Sequence, residues 1–131
     1  MTYLLDVNVL IALGHAGHEH HVRVAMWLGT IGPSDVLATC SITELGFVRL
    51  SPHARLSPDV AAARALLVRL RSGTRPPFVR LTDDLGADAL PAWADTPGAT
   101  TDGHLSALAS RRAARLVTLD QGIPDSFLVP S

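Results

Sequence analysis

Short, continuous apolar runs alternate along this chain with longer segments of helical period, and this alternation restricts the fold more than any other feature. Residues 3–5 form a short apolar strand that ends at Asp6, and residues 7–13 read as one or two helical turns stopped at Gly14. A second helix over residues 19–28 repeats Val22, Ala25, Met26 and Leu28 at helical spacing. A buried strand over 36–40 precedes a helix over about 42–50. Ser57-Pro58-Asp59 supplies an N-cap, a proline at the first helical position and an acid in the first turn, so a helix runs from there to about Arg71 and ends in the Gly73-Thr74-Arg75-Pro76-Pro77 stretch. A third strand over 78–81 leads to a short helix over 84–90. Thr100 or Thr101 caps a helix reaching Ala113, and residues 116–119 form a strand ending at Asp120. Strands separated by helices imply right-handed crossovers and a sheet covered on both faces. The expected fold is α/β, a three-layer α/β/α sandwich around a central, mainly parallel sheet. At 131 residues this is one domain spanning residues 1–131, large enough to bury a core without disulfide staples.

Several classes are disfavoured by composition. Hydrophobic residues make up 47% of the chain, yet no apolar run approaches the roughly 18–20 residues that span a bilayer, and the N-terminus lacks the features of a signal peptide. A single cysteine, Cys40, is no disulfide framework. The expectation is a soluble cytoplasmic protein. Its formal net charge of −1 conceals an uneven distribution. The stretch 49–80 carries Arg49, Arg55, Arg64, Arg69, Arg71, Arg75 and Arg80 against Asp59 alone, while both flanks are acidic. Such a patch points to an anionic partner, with a merely solvated surface as the alternative. The chain has no lysine, for which genomic base composition is explanation enough.

In an open parallel sheet the functional crevice lies beyond the carboxyl ends of the strands. Four acids belong there. Asp6 follows the first strand and Asp120 the strand at 116–119. Glu44 lies in the first turn of the helix after the second strand and shares an apolar face with Phe47 and Val48. Asp102 opens its helix, with Leu105 and Ala109 on the same inward face. Four ionised carboxylates in a poorly solvated crevice would repel one another, and a divalent cation resolves the conflict. Hard oxygen ligands suit Mg²⁺ or Mn²⁺ rather than zinc, and such ions can activate water and stabilise the leaving oxygen of a phosphodiester. Taken singly, each acid could instead be a helix cap or a turn residue.

Four segments carry a closer resemblance: Leu4-Leu5-Asp6-Val7-Asn8-Val9-Leu10-Ile11-Ala12-Leu13, Thr39-Cys40-Ser41-Ile42-Thr43-Glu44-Leu45-Gly46-Phe47-Val48-Arg49, Thr100-Thr101-Asp102-Gly103-His104-Leu105, and Leu116-Val117-Thr118-Leu119-Asp120-Gln121-Gly122. In this order the chain resembles the PIN-domain ribonucleases, and in particular the VapC toxins of bacterial toxin-antitoxin pairs. The resemblance implies that Asp6, Glu44, Asp102 and Asp120 bind Mg²⁺ or Mn²⁺ and catalyse RNA hydrolysis leaving a 3′-hydroxyl and a 5′-phosphate. It implies that Asn8 and Thr118 orient ligands or water. It further implies a cognate antitoxin as partner and a homodimer. On that reading Arg49, Arg64, Arg69 and Arg71 are candidates for RNA-backbone contacts.

Other constellations are weaker. His15, His18, His20 and His21 lack a completing cysteine or carboxylate for zinc, so helix-entry packing or solvent exposure is expected. Trp27 and Trp93 read as core or interface aromatics, and Cys40 as an inert buried thiol. His104 falls on a different helical face from Asp102. A haloacid dehalogenase-type phosphatase would need an acid where Asn8 stands. The remaining alternatives are a PIN-fold RNA-processing nuclease without a toxin role and a noncatalytic metal- or RNA-binding module.

Overall fold

The computed structural model describes residues 1–73 and 78–131. Arg75 and most of the expected helix stop at 73–77 lie outside them. Strand β1 (Thr2–Leu5) leads directly into helix α1 (Val7–Gly14), and α2 (His21–Leu28) follows after a short turn. Strand β2 (Val36–Thr39) is followed by α3 (Ser41–His53) and α4 (Val60–Arg71). Then come β3 (Phe78–Arg80), two single 3-10 turns (Ala87–Ala89 and Pro97–Ala99), α5 (Thr100–Arg111), β4 (Ala114–Thr118) and β5 (Phe127–Leu128). The strands lie in the order β3-β2-β1-β4-β5, and all four pairings are parallel.

Alternate side chains of each strand enter separate cores. Leu5, Leu37 and Val117 join Val9, Leu10, Phe47 and Leu67 beneath α1 to α4, whereas Leu4, Ala38 and Leu116 join Leu105, Leu108 and Ala109 beneath α5. Both sheet faces are therefore buried, which is why the strands read as unbroken apolar runs. Phe47 is fully buried, and a side chain of that kind contributes about 1.5–3 kcal/mol on burial. Trp27 belongs to the larger core and meets Tyr3 edge-on, with ring centroids 5.5 Å apart.

The three-layer parallel architecture is as the alternation implied, but several local expectations are corrected. Asp59, not Ser57, is the N-cap of α4, its carboxylate accepting from the Ala62 amide at 2.8 Å. Strand β2 stops at Thr39, and Cys40 becomes the buried N-cap residue of α3, its amide bonded to Thr43 Oγ1 at 2.9 Å. No threonine side chain caps α5: Ala99 is its N-cap residue, and Thr100 Oγ1 instead donates to the Pro97 carbonyl. The helix expected over 84–90 shrinks to the turn Ala87–Ala89. Asp83 holds the Leu85 amide in a local side-chain bond that competes with helical pairing, and Pro91 follows at once. Strand β5 carries too few residues to show a period in sequence.

Candidate metal centre

The carboxyl ends of β1 and β4 and the first turn of α5 meet at one edge of the sheet. One carboxylate oxygen from each of Asp6, Asp102 and Asp120 lies within 4.8 Å of the others. Asp6 is buried, Asp102 half-buried and Asp120 exposed, so the group opens from the core towards solvent. Asp6 is also the N-cap of α1: its Oδ1 accepts from the Val7 amide at 2.7 Å, while its backbone amide continues the ladder to the Val117 carbonyl.

Thr118 ties the two strand ends together. Its hydroxyl donates to Asp6 Oδ2 at 2.7 Å and accepts from the Asp120 amide at 3.0 Å. Asn8 Oδ1 accepts from the Leu119 amide at 3.2 Å, closing α1 onto the segment beyond β4. Asp102 is positioned from the other side. A Cβ on its neighbour Gly103 would lie 2.4 Å from the Ala94 Cβ, so the loop before α5 presses directly on that first turn.

The electrostatics of this group are unfavourable to three free anions. Burial pushes the Asp6 carboxyl above its ordinary pKa; bonds from Thr118 and Val7 oppose the shift, and the charges of Asp102 and Asp120 add to it. Asp102 is raised as well, first by burial and then by Asp120. Both acids are stabilised by a proton or by a cation. Three hard oxygen donors converging on one point fit a divalent ion such as Mg²⁺ or Mn²⁺.

Glu44 stands outside this group. Thr39 Oγ1 donates to its Oε2 at 2.6 Å, Arg71 Nε lies 3.5 Å from the same oxygen, and an Arg80 terminal nitrogen lies 3.9 Å from Oε1. Arg80 was not singled out in the sequence as a site residue. It arrives through the β2–β3 register, which pairs Thr39 with Arg80, and no local pattern encodes that pairing. Arg49, Arg64 and Arg69 are exposed and make no ion pair among the described residues.

The histidines close the α1–α2 turn. His15 is buried, bonds Ser51 Oγ through Nε2 at 2.9 Å and stacks on Phe47; burial, then His18, pulls its pKa down. His21 Nδ1 bonds the Ala12 carbonyl at 2.7 Å. Among the described residues the histidines form no metal-holding group of three. His104 pairs not with Asp102 but with Asp83. Burial alone would raise Asp83; the bonds from His104 and the Leu85 amide, with the charges of His104 and Arg112, outweigh it and hold the carboxyl low.

Residues 3–125 match the family described as PIN domain. Ribonuclease VapC38 of Mycobacterium tuberculosis (strain ATCC 25618 / H37Rv) is 41% identical over 123 residues, covering 92% of this chain and 86% of the relative. Ribonuclease VapC39 of M. tuberculosis (strain CDC 1551 / Oshkosh) is 38% identical over 138 residues, covering 96% and 94%. The crystal structure of M. tuberculosis VapC20, described as a sarcin-ricin loop cleaving toxin, superposes with a TM-score of 0.69 at 16% identity, over 98% of this chain and 99% of that one. VapBC2 from Rickettsia felis, bound to a DNA fragment from its promoter, gives a TM-score of 0.63 at 16% identity over 98% and 97%. At those identities the two structures speak for the fold, and the sequence relatives for the family. The chain belongs to the PIN-domain family and, within it, to the VapC ribonucleases.

Proposed function

We propose that this protein is a divalent-metal-dependent endoribonuclease, the toxin of a toxin-antitoxin pair, whose ion is held by Asp6, Asp102 and Asp120. The carrying observation is the convergence of these carboxylates from three separate segments to within 4.8 Å. Bound there, Mg²⁺ or Mn²⁺ would supply the positive charge that lowers the pKa of an attacking water and stabilises the leaving oxygen of the phosphodiester. The protein's own contribution is orientation. Thr118 fixes the Asp6 carboxylate through Oδ2, Asn8 fixes the backbone leading to Asp120, and the N-terminal end of α5 presents Asp102 where its helix dipole favours an anion.

RNA is the substrate, hydrolysed to a 3′-hydroxyl and a 5′-phosphate. Arg49, Arg64, Arg69 and Arg71 contact its backbone in a salt-dependent manner. The partners are a cognate antitoxin and a second copy of the chain, and the setting is the cytoplasm. Among the described residues no helix is long and apolar enough to cross a membrane.

The test is cleavage of total cellular RNA by purified, antitoxin-free protein with Mg²⁺ or Mn²⁺. Discrete fragments that disappear with chelator and with Asp6→Asn or Asp102→Asn are expected, both variants remaining folded. Full cleavage by either variant overturns the assignment of the carboxylates. No cleavage by the folded wild type with either ion overturns the enzymatic reading in favour of a binding module.

A further inference from the structure

The first turn of α5 carries Asp102 against a repulsive field. No side chain caps this helix, and Asp102 and Asp120 repel each other across the cleft, as Asp102 and Asp6 do. Leu105 and Leu108 seat the helix on the sheet. Among the described residues one side-chain hydrogen bond alone ties the first turn to another element, from His104 Nε2 to Asp83 Oδ2.

Asp83 belongs to the segment that leaves β3, and that segment is pinned to the same edge of the sheet. The Leu81 amide donates to the Thr39 carbonyl at 2.8 Å, Asp83 Oδ1 accepts from the Leu85 amide at 3.1 Å, and Leu81 and Leu85 both pack against the core beneath α5. At the far end of the helix Arg112 Nε donates to the Thr82 carbonyl at 2.9 Å. The side chains of His104 and Asp83 are only 16% and 12% exposed, so water competes little for the bond between them. His104 stands two residues beyond Asp102, about 200° round the helix. A bond there resists rotation of the turn about its axis, the movement that would carry Asp102 away from Asp6 and Asp120. Between the two, Gly103 meets Ala94 with no room for a Cβ, so the loop before α5 blocks sideways travel as well.

Resting on the metal-dependent reading above, we propose that His104 and Asp83 are positioning residues of the metal centre: their bond fixes the first turn of α5, holds Asp102 in place for a small divalent ion, and so selects Mg²⁺ over Ca²⁺. Mg²⁺ demands near-octahedral oxygens at about 2.0–2.1 Å, whereas Ca²⁺ accepts about 2.3–2.6 Å in flexible arrangements. A fixed Asp102 favours the smaller ion, and a loosened one gives up that preference.

Calorimetry with Mg²⁺ and with Ca²⁺, each alone, separates positioning from general stability, with circular dichroism showing that each variant is folded. His104→Asn is too short to reach Asp83 and is expected to lose about tenfold in Mg²⁺ affinity while keeping Ca²⁺ affinity within about threefold. Charge alone predicts otherwise, because an imidazole is neutral or positive and its removal leaves cation binding unchanged or tighter. His104→Gln, whose longer side chain returns an amide donor to Asp83, should stay within about threefold of wild type for both ions. Arg112→Gln loosens the same segment at the far end of α5 and should also keep Mg²⁺ affinity within about threefold. Should His104→Asn not fold, Asp83→Ser carries the comparison, read as the ratio of Mg²⁺ to Ca²⁺ affinity, since the lost charge weakens both ions alike. Unchanged or tighter Mg²⁺ binding by His104→Asn overturns the proposal, as do equal losses for the two ions, a His104→Gln variant as weak as His104→Asn, or an equal loss in Arg112→Gln. Failure of the underlying reading looks different: the wild type itself would then bind neither ion, and the proposal would fall with it.

Discussion

The hydroxyl of Thr118 is used twice, donating to Asp6 and accepting from the Asp120 backbone, and the consequence is that the acids are locked in place while still repelling one another. Asp6 and Asp102 both have folded-state pKa values above the ordinary carboxyl value. Groups shifted upward contribute stability that is complete below about pH 3.8 and lost as pH rises through the folded pKa. The metal-free protein is therefore penalised at neutral pH, and a cation removes the penalty. The rise in Tm on adding Mn²⁺ is expected to grow as pH goes from about 4.5 to 7, and to shrink in Asp102→Asn; a gain independent of pH in differential scanning calorimetry would contradict this. His15 acts in the opposite sense, because its pKa is lowered by burial and its contribution fades as pH falls below about 6.5 with or without metal. At this scale the three aspartates were legible because a strand end and a helix start are local features. The engagement of Glu44 was not, since Arg71 and Arg80 come from two other elements and only the folded register brings them near it.

Helix α5 shows how an element carries its functional residue into position. Gly103 has no side chain, and the Ala94 methyl occupies the space one would need. Gly103→Ala should therefore destabilise the protein by about 1–3 kcal/mol through overpacking, against the roughly 1 kcal/mol that alanine gains in helix propensity. It should also lower RNA cleavage, because the displaced turn carries Asp102. Urea denaturation and the cleavage assay check the two effects, and a more stable variant would show that the loop yields freely. Helices α3 and α4 were legible as elements, but the punctuation misplaced the start of α4, whose N-cap is Asp59 rather than Ser57. The expected helix at 84–90 failed because Asp83 is committed on both oxygens, one to the Leu85 amide and one to His104 across the fold. The second of those commitments is tertiary and leaves no trace in the local pattern.

Across the whole molecule, β1 occupies the centre of the sheet between β2 and β4. The β1–β4 pairing, from Thr2 with Ala114 to Leu5 with Val117, joins the two ends of the chain. Contacts of such sequence separation form late, because loop closure precedes any return from pairing. During refolding from denaturant, Mn²⁺ binding is expected to recover in the same kinetic phase as global folding. Recovery in an earlier phase would mean that the aspartates assemble without β4. The architecture was legible as an alternation of strand and helix, whereas strand order was not, because no local signal says that the first strand pairs with the fourth. That ordering also has a meaning in time. Asp6 leaves the ribosome more than a hundred residues ahead of Thr118 and Asp120, so throughout the synthesis of everything between them it has neither its hydroxyl partner nor the third carboxylate, and the centre is incomplete.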